Sequence, residues 1–185
     1  AVKINTLVPT NQRLFVAQAG YGTYNEYQIG IVASGALVKN KIYGSIAFGR
    51  HSRDGIDHNY TVGKDTNHID YTQARGKLRF TPNENWDITL AFDGTIDGST
   101  NKGAGNLLNP YIYGNYNQLF PKNNYSEAGF IGNVKYTLSP HLKLYSITGI
   151  RGYDDKGIYD NSGDYYSRTS QPLYYKDRMY SQELK

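Results

Sequence analysis

Two tyrosine-rich stretches are the residues best suited to chemistry in this chain. Tyr111, Tyr113 and Tyr116 form one; Tyr165, Tyr166, Arg168, Tyr174 and Tyr175 form the other. Each tyrosine offers a π-face and a hydroxyl, and Arg168 adds a cation that can stack or pair. That mixture would hold an aromatic, anionic iron chelate by stacking and charge. Rings that only support their own loops are the competing use of the same residues.

Catalysis has no comparable candidates. There is no glycine-rich phosphate loop after a strand, no Gly-x-Ser-x-Gly elbow and no His-Glu-x-x-His pair, so an enzyme is not expected and no cofactor is called for. His51, His58 and His68 flank one loop, where a haem or metal contact is conceivable, but solvated loop histidines are the commoner case. Asp154, Asp155, Asp160 and Asp164 do not have the spacing of a calcium loop. Asn59-Tyr60-Thr61 and Asn124-Tyr125-Ser126 match a glycosylation acceptor, a match read here as chance.

The elements that must carry these stretches follow from the rhythm of the sequence. Segments of about ten residues with every second position apolar are joined by tight turns at one end and polar loops of up to ~25 residues at the other, the pattern of an outer-membrane β-barrel. The tight turns are Val38 to Lys41, Pro82 to Asn85 and Ser139 to His141; the long loops run from about Arg53 to His68, Ser99 to Ser126 and Asp154 to Asp177. The strands predicted between them are Arg13 to Tyr21, Tyr27 to Leu37, Lys41 to His51, Ile69 to Thr81, Trp86 to Asp97, Glu127 to Leu138, Leu142 to Tyr153 and an eighth opening at Arg178. Ala74, Gly76, Leu78 and Phe80 alternate with Gln73, Arg75, Lys77 and Arg79; Trp86, Ile88, Leu90 and Phe92 alternate with Asp87, Thr89 and Asp93. The apolar set would meet lipid. Arg75, Lys77, Arg79, Asp87 and Asp93 would face a wet lumen, with Arg79 placed near Asp87 or Thr89 by the hairpin. No segment sustains a helical period, so little helix is expected beyond a loop turn near Asn106 to Tyr113.

Composition narrows the class. Of 185 residues 38% are apolar, and no run of 18 apolar residues exists, which excludes helical membrane spans but suits strands with one greasy side. The net charge of +4 has no Lys/Arg block behind it, so no nucleic-acid partner is expected. The 19 tyrosines read as an aromatic girdle as readily as ligand contacts.

The opening Ala1-Val2-Lys3-Ile4-Asn5-Thr6-Leu7-Val8-Pro9-Thr10 resembles the end of the plug domain in TonB-dependent outer-membrane receptors. Tyr24-Asn25, Ser34-Gly35-Ala36-Leu37, Asp54-Gly55-Ile56-Asp57-His58-Asn59, Leu78-Arg79-Phe80-Thr81-Pro82 and Ser181-Gln182-Glu183-Leu184 follow in the order of that family. The resemblance implies a 22-stranded barrel filled by a plug, in the bacterial outer membrane among its lipids, importing a scarce nutrient such as a ferric siderophore. An energising TonB-type inner-membrane partner would act through an N-terminal region missing from this chain. On that reading residues 1-11 are the end of the plug and 12-185 the N-terminal portion of the barrel, about eight meandering antiparallel strands forming an open, curved sheet. The lack of a visible signal peptide fits a mature or cropped chain.

Two other readings stay open. One is a small self-contained outer-membrane barrel with an adhesion or surface-receptor role, disfavoured because Arg75, Lys77, Arg79, Lys135, Lys143 and Arg151 would crowd a narrow interior. The other is a soluble β-sandwich, which requires Phe48, Leu78, Trp86, Leu90, Phe92 and Phe130 to be buried between two layers.

Overall fold

The computed structural model describes residues 6–101, 104 and 114–185. Eight long strands form one antiparallel sheet in chain order: β1 (Leu14–Tyr21), β2 (Tyr27–Val38), β3 (Ile42–Arg53), β6 (Ile69–Phe80), β7 (Trp86–Asp97), β9 (Lys122–Ser139), β10 (Leu142–Asp160) and β11 (Ser170–Leu184). Three short strands, β4 (Asp57–Asn59), β5 (Lys64–Thr66) and β8 (Gly114–Asn115), make a second small sheet from two of the long loops. The large sheet is open: β1 pairs only with β2 and β11 only with β10. No helix occurs among the described residues; the proposed turn near Asn106 to Tyr113 lies outside them.

The turns follow from their residues. Tyr24 and Asn25 adopt positive φ of 59° and 52° between β1 and β2, and Asn40 does so at 61° between β2 and β3. Asparagine tolerates this left-handed region better than most residues. Gly55 is demanded by a close approach, since a Cβ there would sit 2.6 Å from the Thr66 carbonyl oxygen.

Alternation and register sort the sheet into two faces. One row of paired residues crosses all eight strands as Phe15, Ala33, Ile46, Gly76, Phe92, Phe130, Ile150 and Tyr180. The neighbouring row, offset by one residue, runs Val16, Val32, Ala47, Arg75, Asp93, Gly129, Arg151 and Met179, and so reaches the opposite face. The first face is apolar and bare: Phe15 is 72% exposed, Ile46 64%, Phe92 51% and Leu78 47%. Tyr43 is the one large apolar side chain that is buried among the described residues. A soluble sandwich is thereby overturned, because its expected core residues have no second layer over them. A bare apolar face this broad is stable only against hydrocarbon or another apolar surface. On β7 it extends from Trp86 to Ile96, ten residue steps, or roughly 25 Å of height for a strand tilted about 40°.

Three strands run longer than the sequence pattern suggested. β9 begins at Lys122, β10 continues to Asp160 and β11 starts at Ser170, so the third long loop shrinks to residues 161–169. Continued main-chain pairing, not apolar alternation, sustains these ends, with Lys156 opposite Tyr174 and Asp160 opposite Ser170. Periodicity alone does not register such pairing.

Candidate ligand-binding site at the loop end

The polar face is organised by arginines. Arg79 donates from Nε and Nη2 to the two carboxylate oxygens of Asp87 at 2.9 and 2.8 Å, a two-pronged bond across the β6–β7 hairpin. The two residues are diagonal neighbours, since Arg79 stands opposite Thr89. The Arg79 guanidinium also lies 5.6 Å from the Tyr43 ring centre. Arg151 reaches from β10 to Asp93 on β7 at 2.7 Å and to Glu127 at 3.2 Å. Arg75, which stands opposite Asp93 in the ladder, is exposed and makes no ion pair among the described residues. Lys77 is buried by the N-terminal segment, donating to Thr6 Oγ1 and the Leu7 carbonyl oxygen at 2.7 Å each. Arg75, Lys77, Arg79, Asp87 and Asp93 therefore share one face, the face crossed by the segment that precedes β1.

Above the sheet the loops are tied together by buried amides. Asn59 is fully buried; its Nδ2 donates to the Asn117 carbonyl at 2.9 Å, and its Oδ1 accepts from the backbone of Thr61 and Val62 at 3.0 Å each. Asn117 in turn donates to the Asp160 carbonyl at 2.6 Å, and the Asp160 carboxylate accepts from Leu119 N at 3.1 Å and Ser162 N at 3.0 Å. Asn115 donates to Thr66 Oγ1 at 3.3 Å. Short polar side chains of this kind can satisfy loop backbone where no ladder partner exists. The burial of Asn59 also removes it as a glycan acceptor.

On this frame sits a row of rings from three separate loops. Tyr60 and Tyr116 stack at 5.2 Å and 26°, Tyr116 and Tyr165 meet at 4.8 Å and 49°, and His58 abuts Tyr60 edge-on at 4.9 Å. Tyr165 and Tyr166 are 57% and 69% exposed. Arg168 lies 5.9 Å from the Tyr166 ring centre and 3.6 Å from Asp164. Of the tyrosines singled out in the sequence, Tyr116 and Tyr165 are thus brought together, with Tyr166 and Arg168 beside them. Tyr111 and Tyr113 lie outside the described residues. Tyr174 and Tyr175 belong to β11 rather than to a loop, so their side chains take opposite faces.

Tyr60 was not singled out by the sequence, where it stands alone between polar residues; the second short sheet, not any local signal, brings it under Tyr116. The histidines do not converge. His51 contacts Glu26 at 2.7 Å, His58 contacts Asp65 at 2.6 Å, and His68 lies 3.0 Å from the Gly98 carbonyl oxygen and 2.9 Å from Thr100 Oγ1. Glu26, in the β1–β2 turn, is held below the ordinary carboxylate range by its hydrogen bonds with His51 and then Gln28.

No protein-family model matches the chain. Among solved structures, it superposes on the ferric yersiniabactin uptake receptor FyuA from Yersinia pestis with a TM-score of 0.78 at 15% identity, covering 97% of this chain and 28% of that one. The chain thus spans little more than a quarter of that receptor's length, and at this identity the likeness is one of fold. The all-β, eight-stranded open sheet is the fold of one stretch of a larger barrel receptor.

Proposed function

We propose that this chain forms part of the wall of an outer-membrane, TonB-dependent receptor that imports a scarce nutrient, a ferric siderophore, captured first by its long loops. The observation that carries the reading is the division of one sheet into a bare apolar face and an ion-paired polar face, topped by a ring platform drawn from three loops. The apolar face takes up lipid and the polar face lines the lumen.

On this reading Tyr116, Tyr165 and Tyr166 present π-faces to a planar chelate, and Arg168 supplies positive charge for its anionic groups. Capture rests on these three rings and this cation, and Tyr111 and Tyr113 belong to the same proposed set of ligand contacts. Arg75, without an ion pair among the described residues, keeps the lumen wall attractive to the same anion. Residues 1-11 act as the end of the plug, with Lys77 fastening that segment to the wall, and the energising inner-membrane partner works on the plug from the other side.

The test has two arms. Reconstitution into lipid vesicles with protease protection of the strands checks insertion. Quenching of intrinsic fluorescence by an iron-loaded phenolate chelate, with the iron-free chelate as control, checks capture. Saturable quenching by the iron form is expected. Protein that stays outside the bilayer, or equal non-saturable quenching by both forms, rejects the reading.

A further inference from the structure

The apolar face is not uniformly rough. In the paired row Phe48, Ala74, Gly94, Ala128, Gly152 and Arg178, four successive strands contribute a residue with a methyl side chain or none. The rows on either side are larger, with Phe92, Phe130 and Ile150 towards the short turns and Thr72, Ile96 and Asp154 towards the long loops. The result is a trench of about 540 Å³ over Ala74, Gly94, Ala128 and Gly152. At Ala74 and Gly94 it opens into a second hollow of about 590 Å³ that descends over Gly76 between Ile46 and Phe92. From β6 to β11 the trench crosses four strand spacings, roughly 19 Å.

One end of the trench carries two cations, Lys176 and Arg178, with Asp154 and Asp177 in the same lining. The Arg178 stem passes over Gly152, where a Cβ would lie 3.7 Å from its Cγ. Lys176 stands in the next row, opposite Asp154. Neither cation has an ion pair among the described residues, because Asp154 is taken by Lys156 at 3.3 Å. Arg50, at the same level on β3, is already spent on Asp70 at 2.6 Å and Thr72 at 2.6 Å. Lys176 stands in the row of Ile96, the top of the apolar band, where an inserted strand meets the headgroup layer, and Arg178 stands one row deeper, in the row of Gly94.

We infer that this trench is a binding site for an anionic, phosphate-bearing membrane lipid, its headgroup on Lys176 and Arg178 and one acyl chain lying over Gly152, Ala128, Gly94 and Ala74. Charge complementarity selects the occupant: a zwitterionic lipid fills the trench equally well but brings its own cation to Lys176 and Arg178. The site rests on the proposed membrane placement, since only an inserted sheet turns this face to lipid.

The test is native mass spectrometry of the purified protein in zwitterionic detergent, offered equal amounts of phosphatidylglycerol and phosphatidylcholine with identical acyl chains. Retained phosphatidylglycerol is expected in excess, falling about tenfold or more in the K176Q/R178Q double variant. Ala74→Phe, which fills the trench at the end far from the cations, should lower retention of both lipids, and millimolar inorganic phosphate should not compete. Equal retention of the two lipids, retention unaffected by both variants, displacement by phosphate alone, or a trench covered by a second copy seen as a dimer overturns the lipid site. Those outcomes leave membrane placement standing, whereas protein that fails to enter vesicles removes both.

Discussion

Arg151 and Asp93 meet at 2.7 Å although they stand on strands that are not neighbours, β10 and β7, with Gly129 of β9 in the register position between them. A Cβ at Gly129 would lie 2.7 Å from Nη2 of Arg151 and 2.9 Å from its Cζ, so the arginine takes this line across the intervening strand over a residue that has no side chain. Glu127, one row nearer the loops, takes the second prong at 3.2 Å. Three strands of the wall are stitched by one side chain.

Gly129→Ala should push the guanidinium aside and weaken that stitch by about 1 kcal/mol, the scale of a partly exposed charged hydrogen bond. Denaturant unfolding in detergent micelles reads the loss. A double-mutant cycle with Asp93→Asn should show non-additivity; additive effects would mean that the pair contributes nothing.

Leu90 and Ala91 are adjacent on β7 but serve opposite faces. Leu90→Arg places a cation near the middle of the apolar band and should cost roughly 2–4 kcal/mol of stability in lipid. Ala91→Arg, on the wet side, should cost far less. Folding titrations into vesicles distinguish them, and similar penalties for the two would reject the assignment of faces.

Asn59 holds two loops through a fully buried amide. Asn59→Ala leaves the backbone of Thr61 and Val62 and the Asn117 carbonyl without that partner, at about 1–3 kcal/mol. Limited proteolysis should then cut near residues 59–66 while the long strands stay protected. Unchanged loop protection would show that the ring stack alone holds the loops.

Glu26 ties the β1–β2 turn to His51. Its carboxyl titrates lower in the folded chain than the ordinary 4.5, chiefly because of the His51 hydrogen bond. The stabilisation is therefore complete above about pH 4.5 and is lost as pH falls through the lowered folded value. The protection factors of the amides of residues 22–26, taken against the intrinsic exchange rate at each pH, should fall on acidification across that window in the native protein, and Glu26→Gln should abolish that fall.

Tyr165 is the exposed end of the ring row. Tyr165→Ala should weaken capture of an aromatic iron chelate by about 0.5–1.5 kcal/mol, while Tyr165→Phe should retain most of it because the π-face is kept. Fluorescence titration gives both affinities. Equal loss in the two variants would assign the effect to the hydroxyl instead.

The sequence by itself determined the strands, their faces and their order. Alternation is a local property: Trp86, Ile88, Leu90 and Phe92 announce a half-greasy strand without knowledge of any partner, and a two-residue step fixes which side each takes. A short turn such as Pro82 to Asn85 leaves antiparallel neighbours as the only outcome, which is why Arg79 and Asp87 were legible as a pair. The third loop was not legible, because β10 and β11 extend by main-chain pairing that leaves no mark in hydropathy. The tertiary structure alone decided what depends on residues far apart in the chain: Tyr60 under Tyr116 and Tyr165, Asn59 and Asn117 as hidden fasteners, Gly129 as the gap through which Arg151 passes, and the aligned row from Ala74 to Gly152. Each is a register relationship between strands or loops, and register is set by the summed pairing of whole elements rather than by any residue within them.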